Sequence, residues 1–127
     1  MARRPTPGLT DAELRLMEVL WDRGPARVGD VVDSLAQPPL SYSTVLTTLR
    51  ILERKGYVAH DQADRAYVYR ALVAREAAAD RAVGHLVKKF FADSPVELAL
   101  QLVEKDRPSD DELARLRALV ERYEETP

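Results

Sequence analysis

The chain has no cysteine among its 127 residues and only two histidines, His60 and His85. A disulfide framework and a thiolate metal site are therefore excluded. Two histidines so far apart do not predict a metal site either, and we interpret them as ordinary surface or hairpin residues. We expect no metal and no cofactor. The absence of cysteine fits a reducing compartment, so we expect a cytoplasmic protein.

Long apolar runs are also absent. No stretch approaches the roughly 18 apolar residues that a membrane helix needs, and the opening MARRPTPG has no apolar signal core. We therefore predict a soluble chain with no membrane insertion. The sequence also has no nucleophile with its base, no carboxylate pair and no phosphate-cradling glycine loop at a meaningful spacing, so we do not predict an enzyme.

The formal net charge is −2, which is unusual for a DNA-binding protein. Between residues 41 and 70, however, five basic residues stand against three acidic ones. The basic residues are Arg50, Arg54, Lys55, Arg65 and Arg70, and the acidic ones are Glu53, Asp61 and Asp64. Because DNA affinity depends on local phosphate contacts, this modest basic patch predicts weak binding by one copy of the chain. Dimerisation would double the contacts.

The same segment begins with a predicted amphipathic helix. Val45, Leu49 and Leu52 recur at helical spacing and form one apolar stripe. Small hydroxyl side chains and arginines fall on the opposite side, and Gly56 ends the helix. Short side chains followed by cations suit a helix that enters the major groove, which is roughly 12 Å wide.

A hairpin is predicted directly after this helix. Residues 57–60 and 66–70 read as two strands, and the polar residues 61–65 read as the turn between them. Arg65 then lies at or just past the tip, where it would reach a phosphate or a minor groove. The alternative is that Arg65 is a solvated turn residue beside two aspartates.

Two helices are predicted before the groove-entering helix. Thr10 and Glu13 match a capping box, and the apolar stripe that follows includes Trp21 as a core anchor. A shorter helix covers about residues 28–35 and ends before the pair Pro38 and Pro39. We therefore predict a mainly α fold with a small β hairpin, in which residues 1–73 form a winged helix-turn-helix DNA-binding domain.

Residues 74–127 are predicted to form a region of three helices with apolar stripes. The residues expected on these stripes are Val83, Leu86, Val87, Phe90, Val96, Leu100, Val103, Leu113, Leu116 and Val120. A chain of this size has little else to cover them, so a symmetric homodimer is the simplest arrangement. Packing of these helices back on the winged helix in a monomer is the alternative.

These features together resemble the penicillinase repressor family, over nearly the whole chain. The resemblance is carried by Leu9-Thr10-Asp11-Ala12-Glu13 with Met17, Val19-Leu20-Trp21, Tyr42-Ser43-Thr44-Val45 with Thr47 and Leu52, Lys55-Gly56-Tyr57, and Arg65 with Tyr67 and Tyr69. It implies a homodimeric transcriptional repressor that binds the two half-sites of a palindromic operator, double-stranded DNA, through its winged helices. The C-terminal helices would form the dimer.

The resemblance also raises the question of regulation. In the β-lactam-responsive members, a pathway that starts at a membrane metalloprotease leads to cleavage of an Asn-Phe bond. The matching position here is Gln101-Leu102, similar in type but not identical. Regulated proteolysis is therefore a hypothesis, and a β-lactam signal is not implied. The copper-responsive branch carries C-terminal cysteines, which this chain lacks.

Residue roles follow from the predicted helix and hairpin. Ser43, Thr44, Thr47 and Arg50 are expected to point into the major groove. Ser41, Tyr42, Arg54 and Lys55 are expected to contact phosphates. Arg3 and Arg4 would form a minor-groove arm or a frayed terminus. Two alternatives to the repressor are a winged-helix regulator gated by a small molecule and a winged-helix protein-interaction module that does not bind DNA.

Overall fold

The computed structural model describes residues 8–125, which form six α-helices and one three-stranded antiparallel sheet. In chain order the elements are α1 (Asp11–Arg23), β1 (Ala26–Arg27), α2 (Val28–Ser34), α3 (Tyr42–Lys55), β2 (Val58–Ala63), β3 (Ala66–Ala71), α4 (Arg75–Phe90), α5 (Pro95–Lys105) and α6 (Asp110–Glu125). The sheet order is β1-β3-β2. This arrangement confirms the predicted fold class, a mainly helical winged helix with a small β hairpin.

Helix α1 begins at the predicted capping box. The Glu13 backbone N–H donates to Thr10 Oγ1 at 3.2 Å, and the Thr10 backbone N–H donates to Glu13 Oε1 at 2.9 Å. Both donors would otherwise be unpaired at the helix terminus. The helix ends at Gly24, whose φ of 88° lies in a region that favours glycine.

The core lies between α1, α2, α3 and the sheet. Its fully buried side chains are Leu16, Met17, Val31, Val45, Leu49, Leu52, Tyr57, Val58 and Tyr69. Trp21 packs against this core, as predicted, and its indole Nε1–H donates to the carbonyl oxygen of Val73 at 2.9 Å. The apolar stripe of α3 thus packs in this core, and the opposite side of the helix is exposed to solvent.

The hairpin differs from the sequence-based expectation in the length of its turn. We expected residues 61–65 to form the turn, but β2 continues to Ala63 and only Asp64 and Arg65 connect the strands. Both residues have positive φ, 48° and 66°, as a type I′ two-residue hairpin turn requires. Residues 61–63 are polar or small because they lie on an exposed ribbon.

Strand β1 was not predicted from the sequence. It consists of two residues, Ala26 and Arg27, which pair with Tyr69 and Val68 of β3. A two-residue strand is too short to produce an alternating pattern, so no local signal marks it. Its partner strand β3 is the central strand of the sheet.

The chain divides into two compact units, one up to His85 and one from Leu86 onward. The division falls inside α4, whereas the sequence-based boundary lay after residue 73. The reason is that the first half of α4 packs on α1. Ala78 is buried in the core, and the Arg75 guanidinium lies 2.8 Å from the Asp22 carboxylate and over the Trp21 ring. The assignment of the second part to dimerisation stays a prediction.

The second unit contains the end of α4 together with α5 and α6. Ser94 caps α5 by accepting from the Glu97 N–H at 3.3 Å, and Ser109 and Glu112 form a capping box at α6. Hydrogen bonds from Ser109 hold the pKa of Glu112 below its usual value. Within residues 95–125, no side chain of α5 or α6 is buried. Across residues 8–125, no helix combines the length and apolar character needed to cross a bilayer.

Candidate nucleic-acid interface

Helix α3 presents one polar face outward. Its apolar residues Val45, Leu49 and Leu52 have no exposed surface, so the rotation of the helix about its axis is fixed. The residues predicted to point into a groove, Ser43, Thr44, Thr47 and Arg50, are all exposed. Thr48 lies on the inner side, where its Oγ1–H donates to the Thr44 carbonyl at 2.7 Å. The structure therefore brings the four predicted residues together on one accessible surface.

A cluster of hydroxyl groups lies at the first turn of α3. The Thr44 N–H donates to Ser41 Oγ at 3.2 Å, and Ser41 Oγ–H donates to Thr44 Oγ1 at 2.9 Å. Ser43 Oγ lies 3.3 Å from Ser41 Oγ, and Tyr42 is 57 % exposed. The amino end of a helix carries unpaired N–H groups and a partial positive charge, which attract phosphate. The arrangement suits a phosphate contact at Ser41 and Tyr42.

Lys55 does not lie on this surface, and its expected phosphate contact is not supported. Its side chain is only 6 % exposed, and its Nζ–H groups donate to Glu13 Oε1 at 2.7 Å and to the Gly8 carbonyl at 3.2 Å. The ammonium is held inside because it neutralises the carboxylate of the α1 capping box. Arg54, the preceding residue, is exposed.

Within residues 41–70, the cations available for a DNA contact are therefore few. Arg70 is paired with Asp61 across the hairpin at 3.0 Å. Arg50, Arg54 and Arg65 make no ion pair within residues 8–125. Arg65 stands exposed at the tip of the hairpin, as the sequence predicted. Three unpaired arginines support the expectation of weak DNA binding by one copy.

Replacing Arg65 by glycine is expected to change stability and DNA affinity in opposite directions. Glycine adopts the positive φ at this position without strain, so we expect the free energy of unfolding to rise by about 0.5 kcal/mol. Loss of the cation should weaken binding to any duplex and reduce the slope of log affinity against log salt by about one. Urea denaturation and salt titrations measure the two effects. An unchanged slope would show that Arg65 is only a solvated turn residue.

One contact of this surface was missed by sequence reasoning. His60 Nδ1 of β2 lies 2.7 and 2.9 Å from the two carboxylate oxygens of Glu53 in α3. The imidazole ring also lies 4.6 Å from the Tyr67 ring and 5.5 Å from the Tyr69 ring. The sequence gives no signal for this pair, because the position of a hairpin strand beside a helix is set by the tertiary fold.

The residues expected at a dimer interface are mostly exposed. Val87 is buried and Leu113 is partly buried, while the other eight predicted residues are exposed. Gln101 and Leu102 lie inside α5 and are exposed as well. Arg3 and Arg4 lie outside the described residues.

Comparison with known proteins gives the family. The family model described as penicillinase repressor matches residues 9–122. A penicillinase repressor of Bacillus licheniformis is 25% identical over 118 residues, which cover 92% of this chain and 92% of that protein. The methicillin resistance regulatory protein MecI of Staphylococcus aureus is 23% identical over 113 residues, covering 88% of this chain and 92% of that protein. A solution structure of the DNA binding domain of the repressor BlaI is 29% identical and covers 59% of this chain and 90% of that one, with a TM-score of 0.49. Since the family model spans nearly the whole sequence, the chain belongs to the penicillinase repressor family.

Proposed function

We propose that this chain is a transcriptional repressor that binds double-stranded operator DNA as a homodimer, with α3 of each copy in the major groove. The observation that carries the proposal is the outward face of α3, where Ser43, Thr44, Thr47 and Arg50 are exposed over a fully buried apolar stripe. Short side chains let the helix approach the base edges, and hydroxyl and guanidinium groups recognise them.

Each contact has a distinct task in this proposal. Arg50 reaches guanine or a phosphate, and the Thr44 and Thr47 methyl groups touch thymine methyl groups. Ser41, Tyr42 and Arg54 contact phosphates and fix the register of the helix on the duplex. The hairpin is the wing, and Arg65 at its tip contacts the adjacent backbone or minor groove.

The exposed apolar surface of the second unit supports dimerisation. Its apolar side chains Phe90, Val96 and Val120 are 67, 64 and 54 % exposed. An open groove of about 710 Å³ between α5 and α6 has Leu102, Leu116 and Leu119 among its lining residues. Exposed apolar surface of this extent favours association, and a symmetric pair lets each copy cover the other. Two copies then present two α3 helices to a palindromic operator.

Derepression by proteolysis at Gln101-Leu102 is the regulatory part of the proposal. Both residues are exposed but lie in the interior of α5, where the backbone is helical. A protease binds an extended backbone, so α5 must open locally before cleavage. Cleavage there would separate α6 from the winged helix and remove the proposed dimer contacts. A gene for a membrane metalloprotease next to this gene would support a membrane sensor pathway.

The proposal is tested by fluorescence anisotropy with two duplexes, the upstream intergenic DNA of this gene and a shuffled sequence. Each titration is repeated across salt concentrations. We expect a strong preference for the native duplex, binding by two copies, and affinity that falls steeply with salt. Equal and weak binding to both duplexes would contradict operator recognition. It would favour the interpretation as a protein-interaction module.

Replacing Thr47 by alanine is expected to weaken binding to the native duplex by roughly tenfold and to leave binding to the shuffled duplex unchanged. The variant removes a hydroxyl and a methyl group that face base edges, and it removes no charge. The same anisotropy titrations measure the effect. Thr48→Ser is a suitable control, since Thr48 faces the core and its hydroxyl already donates to Thr44. A proportional loss on both duplexes would contradict a base contact at Thr47.

A further inference from the structure

The pair between Glu53 and His60 joins the two elements that are proposed to meet DNA. Glu53 is on α3, three residues after Arg50, and His60 is on the first strand of the wing. With its proton on Nδ1, the imidazole donates to the Glu53 carboxylate at 2.7 Å. The two side chains are about one-third exposed, so the pair lies at the surface where α3 and the wing come together.

The surroundings of His60 hold its ring in place. Tyr69 is opposite His60 in the strand register and is buried, and the Tyr67 ring meets the imidazole with its edge. Burial, with a contribution from the Glu53 carboxylate, raises the pKa of the Tyr69 hydroxyl, whereas Arg50 lowers it. Glu53 and Arg50 are thus close enough to the same phenol to act on it electrostatically.

We propose that His60 is a positioning residue for operator recognition, because its bond to Glu53 keeps that carboxylate away from Arg50. The inference rests on the proposed function. Residues three apart on a helix are neighbours, so a Glu53 without His60 would form an ion pair with Arg50. That pair would compete with the guanine or phosphate that Arg50 is proposed to bind.

The test is a double-mutant cycle on operator binding with His60→Ala, Glu53→Gln and the combined variant. His60→Ala is expected to weaken binding to the native duplex by about threefold to fivefold. This is the size of a surface ion pair such as the competing one between Glu53 and Arg50. Glu53→Gln alone should cause no loss, because it removes the competing charge. His60→Ala should then cost nothing in the Glu53→Gln background, and this rescue is a result that loss of structure would not produce.

The pair between Asp61 and Arg70 provides the matched control. It lies on the same wing and has similar or greater exposure, but neither residue belongs to α3. In an Asp61→Asn background, His60→Ala should still weaken binding by the same factor. A cost of His60→Ala that is equal with and without Glu53 would overturn the proposed role. Failure of the unmodified protein to prefer its operator would instead contradict the proposed function, so the two failures are distinguishable.

A second readout separates positioning from folding. Because His60 is exposed at the surface, His60→Ala and His60→Gln should unfold at nearly the same urea concentration as the unmodified protein. His60→Gln keeps a donor for Glu53 and should retain most of the operator affinity. A large loss of stability in both variants, with affinity lost in proportion to the unfolded fraction, would overturn the proposal in favour of a structural role.

Discussion

Lys55→Met is expected to lower the free energy of unfolding by about 3 kcal/mol, because it leaves the Glu13 carboxylate buried without its cation. The Lys55 and Glu13 side chains are 6 and 5 % exposed, and their charged atoms lie 2.7 Å apart. Methionine keeps the aliphatic length of lysine, so the effect arises mainly from the lost charge. Urea denaturation followed by the fluorescence of Trp21, the single tryptophan, measures it.

The double variant Lys55→Met with Glu13→Gln is expected to recover much of this loss. Glutamine removes the buried charge but keeps the oxygen that accepts from the Thr10 N–H in the capping box. Replacing both members of a buried ion pair costs far less than breaking it. If the double variant were as unstable as Lys55→Met alone, the uncompensated Glu13 charge would not be the cause.

Arg54 is the matched control for the phosphate contact that the sequence predicts at Lys55. The two residues are adjacent basic residues at the end of α3, but only Arg54 is exposed. Arg54→Met should change stability by less than about 0.5 kcal/mol and lower the salt dependence of DNA binding by about one phosphate contact. Lys55→Met, measured under conditions in which the variant is folded, should leave that salt dependence unchanged. A reduced slope for Lys55→Met at unchanged stability would restore Lys55 as a phosphate contact.

The difference between Arg54 and Lys55 shows where sequence reasoning reaches its limit. The capping box of Thr10 and Glu13 was predicted because its partners are three residues apart. The carboxylate that pairs with Lys55 is 42 residues away, and only the packing of α1 on α3 brings the two together. From the sequence, both cations had the same place at the end of an amphipathic helix. Local spacing identifies a helix face, but it does not identify a side chain that folds back into the core.

The wing illustrates the same limit on a smaller scale. A hairpin was predicted from the two strand-like runs, yet its turn was placed over five polar residues instead of Asp64 and Arg65. Polar residues occur both in turns and on the solvent-exposed side of a β ribbon, so composition alone does not separate a turn from a strand here. Asp64 tolerates positive φ better than most residues do, which was the available signal for a two-residue turn.

Introducing glutamate at both Leu116 and Val120 is expected to convert the protein to a monomer and to weaken operator binding by about 100-fold or more. The two residues are 39 and 54 % exposed in one copy and lie on the apolar side of α6. In the proposed dimer they are covered, so two buried charges would oppose association. Linking two binding domains raises overall affinity by factors of about 10² to 10⁴, and this gain is lost when the copies separate.

Light scattering and anisotropy measure the two effects together. The mass should fall from twice 14.3 kDa to 14.3 kDa. The operator should then be bound by single copies of the chain and no longer by two copies together. Ala114→Glu is the control, since it places one such charge on α6 at an exposed position away from the apolar stripe. If the chain were a monomer, both variants would change little, because charges at exposed helix positions alter stability by about 0.5 kcal/mol or less. Equal behaviour of the double variant and the control would therefore contradict the dimer, and with it the pairing of two α3 helices on one operator.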